Sequence, residues 1–181
     1  MAKRMEEEKA ARRGCKISIC DIARNKKADG PDVTCDVVKT WAASELKDKV
    51  LKGKFDWPWG HAQCKAKINL ERKVLAQVQA GTPIEVKLSK HPVKCELDQK
   101  DGKDKYALSF TIAPTVSFKD GKATKAALNW SDIDGAAVAK AAVWSTATLD
   151  NNLGVLEGVT VDIVNSFFKD QCEEVKDELG K

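Results

Sequence analysis

Arginine is scarce in this sequence, because only five of the 31 basic residues are arginine and the others are lysine. Recognition of bases and phosphates relies on the planar, bidentate guanidinium group, which lysine does not replace. The 27 acidic residues reduce the formal net charge to +4. This mild balance is typical of a solvated lysine-rich surface, and we predict no nucleic-acid partner.

Histidine and the common catalytic motifs are also scarce. His61 and His91 are the only histidines, and a Ser-His-Asp or Cys-His arrangement needs one beside a nucleophile. The sequence contains no glycine-rich phosphate loop and no Gly-x-Ser-x-Gly elbow. We therefore predict a protein that is not an enzyme and has no cofactor. No apolar run approaches the roughly 18 residues that cross a bilayer, so we also predict no membrane span.

Cysteine, in contrast, is well represented and widely spaced. The six cysteines include no Cys-x-x-Cys pair, and an even number of scattered cysteines is typical of structural disulfides in an oxidising compartment. We therefore predict a periplasmic or secreted protein, with six buried reduced thiols in a cytosolic protein as the alternative. The disulfide candidates are Cys15, Cys20, Cys35, Cys64, Cys95 and Cys172.

The chain organisation follows from the hydrophobic pattern. Residues 1–14 are charged and alanine-rich, which predicts a flexible N-terminal arm, and residues 15–181 form a single α+β domain. Alternation of apolar residues predicts a short strand over 16–22. Apolar residues three to five apart then predict a helix over 32–52.

The second half of the pattern predicts the sheet. Period-two alternation indicates four consecutive antiparallel strands between residues 62 and 130. Alanine-rich and apolar spacings predict helices over 135–147 and 149–178. The predicted fold class is therefore α+β, an antiparallel meander of about four to five strands covered on one face by helices.

Turn residues predict how the strands meet. Asp120-Gly121 is the strongest hairpin signal in the chain. A two-residue turn at Ala80-Gly81 would place Cys64 opposite Leu97, with Cys95 diagonal to Cys64 and close enough for a disulfide. Around His91-Pro92 the apolar phase slips by one residue, which predicts a bulge or a break in the strand. The other four cysteines would form two disulfides that tie the N-terminal segments to the last helix, with three pairings open.

Tryptophan supplies the candidate binding residues. Trp57-Pro58-Trp59 places two indoles on a stiff loop, where they can stack on a sugar or enclose an apolar ligand. We predict a non-catalytic extracytoplasmic binding protein that holds an apolar, aromatic or carbohydrate ligand in a cleft between sheet and helices. The predicted ligand-binding residues are Trp41, Trp57, Trp59 and His61.

Two alternatives remain open. The first is a protein-interaction module, such as an inhibitor or an assembly subunit, that binds a protein partner through an exposed strand edge and has no small-molecule site. The second is a zinc-binding domain or enzyme, since two imidazoles and two thiolates can hold tetrahedral zinc. Its ligands would be His61, Cys64, His91 and Cys95.

Overall fold

The structure, a computed structural model, describes residues 2–50, 57–99, 102 and 104–180. Within these ranges, eight strands form two antiparallel sheets, with helices before, between and after them. The predicted α+β fold is confirmed, although the strands divide between two sheets. The strands are β1 (Val33–Trp41), β2 (Ala62–Leu70), β3 (Ile84–Lys87), β4 (His91–Asp98), β5 (Lys105–Ile112), β6 (Thr115–Lys119), β7 (Lys122–Ala127) and β8 (Trp130–Gly135).

Six helices accompany the strands over the same described residues. They are α1 (Ala2–Ala11), α2 (Arg13–Asn25), α3 (Ala43–Glu45), α4 (Arg72–Leu75), α5 (Ala137–Leu153) and α6 (Glu157–Ser166). A π-helical turn, Leu46–Val50, extends α3, and a second one, Phe167–Gln171, extends α6. A 3-10 helix follows at Glu173–Glu178. None of the helices in the described part of the chain is long and apolar enough to cross a membrane.

The larger sheet has the strand order β1-β2-β4-β5-β8. In β4 the side chains of His91, Val93, Cys95 and Leu97 are buried while the intervening residues are exposed, as expected for a sheet with one covered face. Helix α5 and the loop at Trp59 pack on this inner face. Helix α2 packs on the same core side beside β1.

The smaller sheet has the order β3-β6-β7, and α6 packs against it. The predicted Asp120-Gly121 hairpin joins β6 to β7, with φ of 53° and 74° at the two turn residues. The phase slip at His91-Pro92 marks the start of β4, where the chain passes from the smaller sheet to the larger one. The prediction of a strand break there is therefore confirmed.

Two local predictions near the N-terminus are wrong. Residues 16–22 belong to helix α2, because Ile19, Ile22 and Ala23 share one buried helical face that the alternation of isoleucines concealed. Residues 33–41 form strand β1 in place of the first half of a helix over 32–52. Valine and threonine favour the extended backbone, and spacings of four fit a strand as well as a helix.

The C-terminal helices are close to their predicted positions. Helix α5 ends where Gly154 takes a left-handed conformation, with φ of 61°. The predicted boundary near residue 148 is wrong, since residues 149–153 belong to α5. Helix α6 and the short helical turns occupy residues 157–178. Residues 2–11 form α1 and residues 13 and 14 begin α2. Glu8 is buried against β1, so part of the predicted arm is anchored to the domain.

All six cysteines are paired in three disulfides. Cys64–Cys95 joins β2 to β4, as predicted, but these residues are directly opposite and Leu97 lies across from Ala62. The predicted register is wrong because residues 71–87 form α4, turns and β3 in place of a two-residue hairpin. The two remaining disulfides, Cys15–Cys35 and Cys20–Cys172, tie α2 to β1 and to the C-terminal segment. Three disulfides indicate an oxidising environment.

Candidate functional site

The predicted tryptophan site is part of the protein core. Trp59 is 7% exposed, and its ring lies edge-on to that of Trp57, with 4.9 Å between the ring centroids. The Trp57 indole N–H donates to the Gly60 carbonyl at 2.8 Å. Trp41 is half-buried and packs on the same cluster, with the Lys39 ammonium 4.9 Å from its ring centroid.

Two clefts on the described surface lie away from these indoles. One cleft of about 230 Å³ is lined by the end of β2 and by Lys87, Leu88 and Ser89, and another of about 350 Å³ lies on the outer face of the larger sheet. Neither is lined by tryptophan or by His61. Residues 51–56, which precede the tryptophan loop, lie outside the described ranges. A ligand cleft at the tryptophans stays a prediction.

The four residues of the zinc hypothesis are engaged differently. Cys64 and Cys95 form a disulfide, so their sulfurs are not thiolate ligands. His91 is 4% exposed, and its Nε2 accepts a hydrogen bond from the Asn69 backbone N–H at 3.0 Å. Across the described residues, no three His, Cys, Asp or Glu side chains are grouped as a metal site. Zinc binding by these residues would require the disulfide to be reduced first.

Side chains from the N-terminal helices close the β1 edge of the larger sheet. The Thr40 N–H donates to the Glu8 carboxylate at 2.7 Å, and the Arg12 guanidinium donates to the Val38 carbonyl. Both backbone groups point away from β2, toward the open side of β1 at which an added strand would bind. Burial would raise the pKa of Glu8, but hydrogen bonds from Thr40 and Gln63 outweigh it and hold that pKa below its ordinary value.

Asparagine side chains close two further edges. At β8, Asn151 accepts from the Trp130 N–H and donates to the Trp130 carbonyl, both at 2.9 Å. At β7, Asn165 forms the same pair of hydrogen bonds with Ala123, at 2.8 and 3.0 Å. Strand addition at β1, β7 or β8 would have to break these contacts. An exposed strand edge is therefore a poor docking site at these positions.

Helix α5 packs on β5 and β8 with small side chains. Ala139 and Ala147 are 0% and 3% exposed and allow the helix backbone to lie close to the sheet. The one acidic residue of α5, Asp150, is also buried. Its carboxylate accepts from the Trp130 indole N–H at 2.9 Å and from the Leu156 N–H at 2.8 Å. The inner side of α5 thus carries mainly alanine, with Val143 beside it, and is fixed by one carboxylate.

Four large apolar side chains of α5 point to solvent, whereas Val143 is half-buried against the core of the larger sheet. The exposed fractions are 62% for Val138, 58% for Trp144, 43% for Leu149 and 72% for Leu153. From residue 137 to residue 149 the only charged residue is Lys140, which pairs with an aspartate of β8. A surface helix ordinarily places its large apolar residues inside and its charges outside, so α5 has this distribution reversed. We call this surface the outer α5 face, formed by Val138, Ala141, Trp144, Ser145, Leu149 and Leu153.

Sequence reasoning predicted the helix but did not identify this face as a site. The available signal was the nearly charge-free run from residue 137 to residue 149, which contains a tryptophan and a leucine. Its hydrophobic periodicity does not show which side of the helix contacts the sheet, since alanine and valine occur all around it. The burial of Ala139 and the exposure of Trp144 resolve this ambiguity.

No model of a protein family matches the chain, and neither a curated protein nor a solved structure matches it significantly.

Proposed function

We propose that the protein is a non-catalytic interaction module of an extracytoplasmic compartment, periplasmic or secreted, and that it self-associates through the outer α5 face. The observation that carries this proposal is the exposure of Trp144 and three large aliphatic residues on a helix that buries alanine. Contiguous exposed apolar surface of this kind marks protein–protein contacts. Tryptophan is among the residues that contribute most to the energy of such contacts.

A second copy of the chain is the partner that suits this face. Ala137, Ala141, Ser145, Leu149 and Leu153 are four residues apart and form one ridge along the helix. In a twofold contact centred on Ser145, Ala141 lies opposite Leu149 of the second copy. Ala137 likewise lies opposite Leu153. Each large side chain meets a small one, which is the self-complementary arrangement that a twofold interface requires.

The absence of charge on this ridge supports the same partner. No residue of the ridge is ionisable, so pairing with its own copy brings no like charges together.

Sedimentation velocity over a wide concentration range tests the proposal. We expect the wild-type chain to change from the 19.8 kDa monomer to a dimer as concentration rises. Leu149→Lys places a charge on the ridge and should keep the chain monomeric. Ala127→Lys, at an exposed position in β7, introduces the same charge elsewhere and should leave the dimer unchanged. A wild-type chain that stays monomeric at every concentration would refute self-association.

A further inference from the structure

The outer face of the larger sheet carries an unusual arrangement of lysines. Lys65 of β2 lies directly opposite Lys94 of β4, and Lys67 follows two residues later on the same face. All three side chains are exposed. Like charges directly opposite one another in a sheet are destabilising, so the Lys65–Lys94 pair does not itself favour the fold.

The three lysines surround an open groove of about 350 Å³. The groove is also lined by the apolar residues Val38 and Pro92 and by Asp36, which lies directly opposite Lys67 in the β1–β2 register. The nearby Glu96 carboxylate is engaged by Lys105 of the neighbouring strand, at 3.0 Å, and Lys65 lowers the pKa of Glu96 only as a minor contributor. Among the described residues that line it, the groove therefore carries three ammonium groups against one carboxylate.

We propose that this groove binds an extended acidic segment of a partner protein. Negative charge would relieve the repulsion between Lys65 and Lys94, so the site is electrostatically complementary to carboxylates. Val38 and Pro92 offer apolar contact for the side chains that alternate with those carboxylates. The described residues that line the groove include no arginine and no aromatic ring, which disfavours phosphate recognition, base stacking and sugar stacking.

The spacing of the lysines defines the expected sequence of the segment. Residues two apart in a strand are separated by about 6.8 Å, and Lys65 and Lys67 have this relation. Carboxylates two residues apart in an extended peptide have the same spacing. A segment with acidic residues at alternate positions would therefore place one carboxylate at each of these lysines.

The N-terminal helix already shows a carboxylate bound at one end of this face. Glu8 accepts hydrogen bonds from the Thr40 hydroxyl at 2.7 Å and from the Gln63 amide at 2.8 Å. Thr40 and Gln63 are paired across β1 and β2. The next residue pair on the same face is Val38–Lys65, which lines the groove. The face thus accepts a carboxylate from a crossing chain segment, next to the residue pair that lines the groove.

Fluorescence anisotropy with a labelled peptide of alternating glutamate and threonine tests this inference. We expect saturable binding that weakens with salt, and no binding of the matched peptide in which glutamine replaces glutamate. The double variant Lys65→Glu/Lys94→Glu should lose at least tenfold in affinity, whereas Lys119→Glu, outside the groove, should not. Equal affinity for both peptides, or no binding of either, would overturn the inference.

Two additional measurements distinguish a peptide groove from a polyanion site and from the outer α5 face. Tighter binding of a single-stranded oligonucleotide or of heparin through the same lysines would overturn the inference of an acidic peptide partner. The Leu149→Lys variant should bind the acidic peptide with unchanged affinity. The experiments therefore distinguish a wrong proposal of self-association from a wrong proposal of peptide binding in the groove. Lys94→Ala, which relieves the lysine repulsion, should raise the melting temperature, and its loss of peptide affinity is then not due to unfolding.

Discussion

Glu8 gives the most direct test of how the N-terminal helix stabilises the domain. Its carboxylate accepts three hydrogen bonds of 2.7 to 2.8 Å, two from Thr40 and one from Gln63. A hydrogen bond to a charged group contributes about 1.5–3 kcal/mol. After truncation to alanine, water can reach Thr40 and Gln63 at this edge of the sheet. We therefore expect Glu8→Ala to lower the free energy of unfolding by about 3 kcal/mol, less than the sum over the three hydrogen bonds. For a chain of this size the melting temperature should fall by about 6–12 °C.

The pH dependence of this loss follows from the direction of the pKa shift. The folded state lowers the pKa of Glu8, so its contribution is complete above the unfolded pKa and is lost as pH falls through the folded pKa. Wild type and Glu8→Ala should therefore differ fully at neutral pH and converge in acid. Thermal unfolding followed by circular dichroism, at neutral and at acid pH, measures the stability of wild type and of Glu8→Ala. Glu7→Ala is the control, because the Glu7 side chain is 67% exposed and its loss should cost less than about 0.5 kcal/mol. If Glu8→Ala lost as little stability as Glu7→Ala, the hydrogen bonds of Glu8 would not be what stabilises this edge of the domain.

Two further predictions concern the covalent and backbone framework. The Cys20–Cys172 disulfide spans a sequence separation of 152 residues, so replacing both cysteines by alanine should cost about 5 kcal/mol in urea unfolding; a loss below about 1 kcal/mol would contradict this. Gly135 has φ of 143°, and an added Cβ would lie 2.4 Å from a carbonyl oxygen of β5, so Gly135→Ala should lower the melting temperature. Gly14 lies in α2 with nothing within 4 Å of an added Cβ, so Gly14→Ala should raise the free energy of unfolding by about 0.5–1 kcal/mol. If Gly135→Ala and Gly14→Ala changed stability in the same direction, the argument from backbone conformation would be wrong.

The part of the fold that the sequence predicts well is the part with unambiguous periodicity. The alternation over Val93, Cys95 and Leu97 and the Asp120-Gly121 turn both correspond to observed structure. Residues 16–22 and 33–41 are harder to assign because spacings of two and four suit both a helix and a strand when the run is short. The division into two sheets depends on contacts between distant residues, which local patterns do not specify.

The candidate site is harder to predict for a related reason. Trp57 and Trp59 have the composition of a binding loop, but a hydrophobic ring serves a core equally well, and Trp59 packs in one. Trp144 lies in an ordinary alanine-rich segment, and only the packing of α5 on its alanine side leaves this indole in solvent. The pairing of Lys65 with Lys94 depends on the strand register, and the register predicted from the sequence is offset by two residues.

Cross-linking at position 145 tests self-association through the outer α5 face. A twofold contact centred on Ser145 brings the two copies of this residue together, and Ser145 is exposed on the outer α5 face. Ser145→Cys should therefore form a covalent dimer, twice the 19.8 kDa chain mass, under mild oxidation on a non-reducing gel. Ala127→Cys, exposed on β7, should remain monomeric. A Ser145→Cys variant that cross-links no faster than Ala127→Cys would contradict self-association through α5.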